Sequence, residues 1–409
     1  MNARFFQPFG VTLSDPVDTM MQRGRTPQRD QFATRHNKLP EAQRPTVAEI
    51  DLNAIADNVR AIRQRVHPAE VMAVVKAEGY GHGAVEVARA ALHAGATLLG
   101  VALLEEGIAL RRSGLTAPIL VFGGLFENQI DSYLAHDLQM TLYDARLAES
   151  ISHRARALNK TAAVHVKFDT GMGRVGVTTE PIAFLKHVVN LPGISLQGLY
   201  THLATSDEAD LGYAHVQLKR FREIVAEARE HDIVPAWIHA ANSGAILSLP
   251  ESYFNLVRPG VMMYGYYPSA QVTKSIKLQP AMRLRTAVLF VKRVPHGTFI
   301  SYNRTFQTQR ESTLATLPIG YADGFLRRFS NNMSVLIRGR KYPVVGRVCM
   351  DQIVVDVSAI PDIRTGEEAV LMGKQGEEEI SIYDWCEKLE TIPYEVTCGI
   401  SPRVPRVYV

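Results

Sequence analysis

Cysteine is scarce in this 409-residue chain: Cys349, Cys386 and Cys398 are odd in number and form no CxxC pair. This excludes a disulfide framework and a cysteine-based zinc site, so no metal is expected and the chain reads as intracellular and cytoplasmic. No stretch reaches the roughly 18 consecutive apolar residues that a membrane span needs. The N-terminal MNARFFQPFGVTL is broken by Gln, Pro and Gly before an export core can form, so neither a signal peptide nor a membrane partner is expected. An excess of one charge is missing too. Lys and Arg number 45 against 41 Asp and Glu, and no basic run is interleaved with aromatics, which argues against nucleic acid as a partner. No internal repeat or low-complexity segment stands out. What remains is a globular composition, 46% apolar and 21% charged, on a chain long enough for two or three domains.

Residues 1–45 scatter Arg, Gln, Asp, Pro and Thr without periodicity and read as a flexible N-terminal extension. An arm on the main domain, or an upstream start codon, would leave the same pattern. Order is expected from Val47–Ile50, a short strand, followed by Asp51 as an N-cap and a helix with Ile55, Val59, Ile62 and Val66 on one face. Eight further apolar runs then predict strands: Val71–Val75, Leu98–Ala102, Ile119–Phe122, Leu138–Leu142, Ala163–Phe168, Leu196–Thr201, Ala236–His239 and Asn255–Val257. Amphipathic stretches lie between most of them, among them Ala84–Ala94, Glu105–Arg112, Asp144–Leu158 and Tyr213–His231. This alternation predicts an α/β fold, a parallel (β/α)8 TIM-like barrel over 46–280, whose first short strand is free to join the following domain. An open doubly wound sheet shares the rhythm, but no GxGxxG follows the first strand. From 281 to 409 the runs are β-rich and separated by Gly, Pro, Asn and Asp, which predicts a C-terminal all-β domain with one helix at Ser381–Leu389.

Barrels work at the C-terminal ends of their strands, and here those ends are polar. The first barrel strand runs into Lys76, the fifth into Lys167 and FDTGMGR, the sixth into His202, the seventh into HAANSG and the eighth into Arg258. Lys76 follows MAVV, so its stem starts among apolar side chains; a desolvated lysine has a lowered pKa and serves as a nucleophilic amine or Schiff-base former. A lysine that merely begins a surface loop would read the same way. Asn242, Ser243 and Gly244, with Gly260 and Val261, offer a hydroxyl and backbone N–H groups where barrels often hold a phosphate, although glycine-rich turns alone are weak evidence. Arg258 and His202 fit structural roles as well as functional ones.

Nine blocks in order carry a sharper signal: VVKAEGYGHG, VKFDTGMGRVG, THLATSDE, HAANSGA, VRPGVMMYG, SYNRTF, PIGYADGF, VGRVCMDQ and SPRVPRVY. From about Val47 to Val409 the chain resembles the alanine racemases, barrel-type (fold-type III) pyridoxal phosphate enzymes. The resemblance implies a homodimer that interconverts L- and D-alanine by a two-base mechanism and supplies D-alanine for peptidoglycan. Lys76 is similar to the lysine that holds pyridoxal 5′-phosphate as an internal aldimine and serves as base for the D enantiomer. Tyr302 is similar to the opposing base, which the partner subunit's β-domain contributes, so the site would be composite. A tyrosine with a reference pKa of about 10 is a poor base unless its phenolate is stabilised. In the family a chain of hydrogen bonds through residues like Arg258 and His202 does this.

The resemblance further implies that Arg258 donates to the pyridine nitrogen, leaving it unprotonated and the ring a weak electron sink. The phosphate would be held by Tyr80, Ser243, Tyr394 and the N–H groups of Gly260 and Val261, with Asn242 beside them. Arg174 would contact the cofactor's phenolic oxygen and the substrate carboxylate, which the N–H of Met350 would also bind. Lys167 matches a lysine that is often carbamylated. Asp207, Tyr321, Arg327, Arg347 and Ile392 match entrance positions. Three departures stand out. Glu78 and Gly79 replace the Asp and Ala of many relatives, and Asn303 replaces a Gly beside the catalytic tyrosine, which bears on strict alanine preference.

Three rival readings share parts of this pattern. A broad-spectrum amino-acid racemase is one, although such enzymes are typically exported. A barrel-type decarboxylase pairs the pyridine nitrogen with a carboxylate, where this chain offers Arg258. A pyridoxal phosphate carrier of the small single-domain kind lacks the β-domain that brings Tyr302.

Overall fold

The computed structural model describes residues 44–409; the extension expected over 1–45 falls, apart from Arg44 and Pro45, outside the described residues. Arg44 is fastened in place, its guanidinium paired with the buried carboxylate of Asp323 and donating to Pro318 O at 3.0 Å.

The chain opens with β1 (Val47–Ile50) and α1 (Leu52–Val66). Asp51 caps α1 by accepting from the N–H groups of Asn53 and Ala54, and Ile55, Val59, Ile62 and Val66 are its buried stripe, as the spacing predicts. Eight parallel barrel strands follow with their helices: β2 (Glu70–Val74), α2 (Lys76–Tyr80), α3 (Ala84–His93), β3 (Leu98–Val101), α4 (Leu104–Arg112), β4 (Ile119–Val121), α5 (Ile130–Ala135), β5 (Gln139–Leu142), α6 (Ala145–Ala157), β6 (Ala162–Lys167), α7 (Pro181–Asn190), β7 (Ile194–Tyr200), α8 (Gly212–Glu230), β8 (Trp237–His239), α9 (Ser243–Ser248) and β9 (Leu256–Val257). They run in the order β8-β7-β6-β5-β4-β3-β2-β9. The last seam is stitched by Asn255, whose Oδ1 accepts from Ile238 N–H at 2.7 Å and whose own N–H reaches Ile238 O. Met72, Leu98, Leu120 and Leu256 fill part of the barrel core, packed by Phe122 and Trp237. Strand ends differ from the expected ones by one or two residues, the usual scatter where pairing frays.

The second half is β10 (Met282–Ala287), β11 (Phe290–Val294), β12 (Phe299–Ile300), β13 (Phe306–Gln307), β14 (Ser312–Leu317), β15 (Ser334–Ile337), β16 (Arg340–Pro343), β17 (Ile353–Asp356), β18 (Glu368–Gln375), β19 (Glu378–Ile380), α10 (Ile382–Leu389), α11 (Pro393–Gly399) and β20 (Arg406–Tyr408). The larger sheet runs β16-β15-β18-β10-β1-β20, so β1 pairs antiparallel with β10 and parallel with β20. Ser381 caps α10, the helix expected there. A second helix, α11, carries Tyr394 and was not expected from the IPYEVTCGI segment.

Candidate active site

Lys76, Tyr80, Lys167, Arg174, His202, Asn242, Ser243, Arg258, Gly260 and Tyr394 all line one cavity of about 400 Å³. That volume lies within the range of small-molecule sites. Most of them stand at or just beyond the C-terminal ends of barrel strands, and Tyr394 reaches in from α11.

Lys76 opens an unusual turn. Ala77, Glu78, Gly79 and Tyr80 have φ of 52°, 52°, 58° and 52°, one turn of left-handed helix. For each L-residue this costs about 1–2 kcal/mol, so the fold must hold the turn from outside. Burial, then the Arg174 charge, lowers the pKa of the Lys76 amine, while Glu106 and Cys398 oppose this. Lys167, at the end of β6, is pushed down to about 8 by burial and by Arg174 and Arg258. Both amines are thereby better nucleophiles near neutral pH than an exposed lysine.

Arg258 is buried and held on several sides. Its Nη1 donates to His239 Nδ1 at 2.8 Å, and its Nη2 donates to Thr201 O at 2.8 Å and Ala240 O at 3.0 Å, with His202 Nδ1 at 3.4 Å. A guanidinium has only donors, so His239 Nδ1 must be bare and its proton sits on Nε2. That proton faces His165 Nδ1 at 2.9 Å, and His165 Nε2–H in turn donates to Gln139 Oε1 at 3.0 Å. One charge thus orders the tautomers of two histidines. Burial, reinforced by the Arg258 charge, keeps both neutral, with His165 lowered to about 3 and His239 well below its ordinary value. His202 is neutral for the same reasons. The Tyr200 ring stacks on His239 at 4.7 Å, and the Arg258 and Lys167 cations lie 5.4 and 5.7 Å from its centroid. Gly198 makes room for this row, because a Cβ there would sit 2.3 Å from His165 Nδ1.

His165, Tyr200 and Gln139 were missed by the sequence reading. A usable signal existed: a histidine in the otherwise apolar run AAVHV faces a core and needs a polar partner there.

The same cavity holds a cluster of neutral donors. Ser243 Oγ accepts from Gly260 N–H at 2.9 Å. A Cβ on Gly260 would stand 2.4 Å from Tyr80 Oη, so only glycine lets these groups converge. Burial raises the pKa of Tyr80 and Tyr394, which therefore keep their hydroxyl protons as donors. Asn242 lines the cavity while capping α9: its Oδ1 accepts from Ala245 N–H and Ser206 Oγ. Val261 is buried next to Gly260 and is not itself among the lining residues. Arg174 ends a loop folded around Asp169, whose carboxylate accepts the N–H groups of Gly171, Met172, Gly173 and Arg174.

The β-domain candidates stand apart from this cavity. Tyr302, Tyr321, Arg327 and Met350 are exposed on its loops, and Arg347 is half-buried. Tyr321 and Ala322 donate to Cys349 O and Met350 O, which ties the two loops together. Tyr302 sits among three left-handed residues, Ser301, Asn303 and Arg304, with φ of 62°, 62° and 51°. Asn303 therefore keeps the conformation that a glycine would adopt there, since Asn tolerates it better than other side chains. Of the other two entrance candidates, Asp207 is half-buried on the barrel and Ile392 is exposed at the start of α11.

Comparison with known proteins gives this arrangement a context. Family models described as the alanine racemase N-terminal domain and C-terminal domain match residues 50–268 and 281–408. An alanine racemase from Symbiobacterium thermophilum is 45% identical over 369 residues, covering 90% of this chain and 98% of that protein. The solved alanine racemase from Clostridium difficile 630 superposes with a TM-score of 0.86 at 38% identity, covering 90% of this chain and 96% of that one. The Bartonella henselae alanine racemase, solved with covalently bound pyridoxal phosphate, gives 0.80 at 29% identity over 90% of this chain and all of that one. Family models over both halves and relatives matched along nearly their whole length establish that the chain belongs to the alanine racemase family.

Proposed function

We propose that the protein interconverts L- and D-alanine with pyridoxal 5′-phosphate, in a homodimer whose two active sites each draw on both subunits. The observation that carries this is the cavity itself, where a desolvated lysine amine and a cluster of neutral hydroxyls share one space with an arginine. The donor set fits the cofactor: an amine for its aldehyde, hydroxyl and N–H groups for its phosphate, and a buried guanidinium for its ring nitrogen. Of the five N–H donors of Arg258, three go to His239, Thr201 and Ala240, which leaves two for a ligand. A decarboxylase would call for a carboxylate in that place.

When bound, the cofactor supplies an electron-withdrawing ring that acidifies the α-proton of an amino acid joined to it. Lys76 would hold the aldehyde carbon and then exchange the proton on the face used by D-alanine. Tyr302 of the partner subunit would serve the other face, aided by His202 and Arg258. Tyr80, Ser243, Tyr394 and the N–H groups of Gly260 and Val261 would hold the phosphate, with Asn242 shaping the loop beneath it. Arg174 and Met350 N–H would orient the substrate carboxylate, and a carbamate on Lys167 would position Arg174. Asp207, Tyr321, Arg327, Arg347 and Ile392 would frame the entrance and favour a small side chain. The same reading makes this a cytoplasmic source of D-alanine for peptidoglycan; among the described residues no helix is long and apolar enough to cross a membrane.

Chiral chromatography of L-alanine incubated with the protein and pyridoxal phosphate tests this, beside Lys76→Ala and parallel incubations with serine, lysine and arginine. D-alanine from the wild type alone is expected. Comparable turnover of lysine or arginine would move the protein to the broad-spectrum racemases, and carbon dioxide release would favour a decarboxylase.

A further inference from the structure

The left-handed turn that follows Lys76 is bonded within its own segment, except at its start. Gly79, Gly81 and Gly83 donate their N–H groups to Val75 O, Ala77 O and Glu78 O at 2.9, 2.9 and 2.8 Å. The first N–H of the turn, that of Ala77, instead leaves the segment and donates to Glu106 Oε1 at 2.6 Å. The other oxygen of the same carboxylate accepts from Ala102 N–H at 2.7 Å and Leu103 N–H at 3.0 Å. Glu106 is the third residue of α4, so one side chain ties the end of β2 to the end of β3 and closes the start of its own helix.

We infer that Glu106 is a positioning residue: its carboxylate holds the strained turn in its left-handed form and so aims the Lys76 amine into the cavity, a role that rests on Lys76 being the cofactor lysine. The chemistry calls for a carboxylate. Its two oxygens meet three N–H donors on two sides, and an amide would present its own NH2 to one of those sides. A side chain shorter by one carbon, or none, leaves Ala77 N–H without its anchor. The negative charge has a second effect. Around the Lys76 amine stand the cations Arg174 and Lys167, with Cys398 and Glu106 acting the other way. Removing the carboxylate leaves only Cys398 acting against those cations, so Lys76 should give up its proton more readily.

The test uses holoenzyme loaded with pyridoxal 5′-phosphate and does not depend on turnover. Two quantities are measured for the wild type, Glu106→Gln and Glu106→Ala. One is the rate of cofactor release into a carbonyl scavenger, and the other is the pH at which the visible band of the lysine–cofactor linkage is half lost. Glu106→Ala should release cofactor roughly tenfold faster, the loss expected for one hydrogen bond to a charged group. Glu106→Gln, which keeps shape and one acceptor, should lie between it and the wild type. Both variants should shift the band midpoint to lower pH, since each removes the carboxylate charge that opposes Arg174. A lowered melting temperature with unchanged release and unchanged midpoint would reduce Glu106 to a helix cap and overturn the inference. The two failures separate cleanly: a wild type that takes up no pyridoxal phosphate refutes the proposed function, whereas a loaded wild type matched in both readouts by Glu106→Ala refutes only the role of Glu106.

Discussion

The barrel mouth and the β-domain face contribute to the proposed site in opposite ways. In the barrel, Arg258 and Lys167 are each 5% exposed and Ser243 is 3% exposed, and burial has already shifted the lysines and histidines around them. On the β-domain, Tyr302 is 66% exposed and Met350 51%. Electrostatic tuning needs low dielectric, so the barrel half is electrically set within one chain, whereas the β-domain half gains its environment only when something covers it. A second copy of the chain is the occupant that the proposed function supplies. Cofactor binding should accordingly be a property of the single chain, and proton exchange on one face a property of assembly.

Tyr302→Phe should break that comparison most visibly. The variant should keep the cofactor and its visible band, because no barrel contact changes. Abstraction from L-alanine should fall by about 10²–10⁴, the usual worth of a positioned base, and abstraction from D-alanine by much less. Net turnover in the two directions is tied by the equilibrium, so the measurement must follow solvent-deuterium entry and isotope effects from each enantiomer. Unchanged exchange from L-alanine would remove Tyr302 from the chemistry.

How far the sequence discloses each half follows the same divide. The alternation of strands and helices, the Asp51 cap and the polar strand ends are local patterns, and the structure has them where spacing puts them. The pairing of β1 with β10 and β20 is not local: it joins segments more than 230 residues apart, and period-2 alternation does not name a partner. The turn after Lys76 is the clearest case. AEGYG reads as a turn because of its glycines, yet its handedness is carried by Ala77, Glu78 and Tyr80, which prefer the opposite sense and are overruled by tertiary contacts. The order of protons through Arg258, His239 and His165 is equally hidden, because it depends on three strands meeting inside the barrel.

A smaller effect sharpens the electrical side of the comparison. Lys167 has its pKa lowered to about 8, so its neutral fraction rises as pH rises through that value. Carbon dioxide adds only to the neutral amine, with loss of one proton, so carbamate should form readily above pH 8 and poorly below it. Above pH 8 the wild type should lose activity a few-fold in carbon dioxide-free buffer and regain it with bicarbonate, a rescue that fades toward pH 6.5, whereas Lys167→Ala should ignore bicarbonate at every pH. Equal bicarbonate response in both proteins would exclude a carbamate at this position.

The least effect is expected at Asn303, where it is the contrast between two substitutions that informs. Asn303 adopts φ 62° and ψ 6°, a conformation open to Gly and tolerated by Asn. Asn303→Gly relieves a little backbone strain but adds freedom to the unfolded chain, two terms of about 0.5–1 kcal/mol that nearly cancel. Stability, alanine turnover and the ratio of serine to alanine turnover should all stay within about twofold, because the backbone that presents Tyr302 is unchanged. Asn303→Val is different, since a β-branched side chain resists positive φ and should swing the tyrosine by reshaping its turn. Its cofactor band should match the wild type while abstraction from L-alanine falls. Should Asn303→Gly alone widen the substrate range, the Asn side chain would itself be part of the specificity of the mouth, and the departure from glycine at this position would carry more than a preserved backbone.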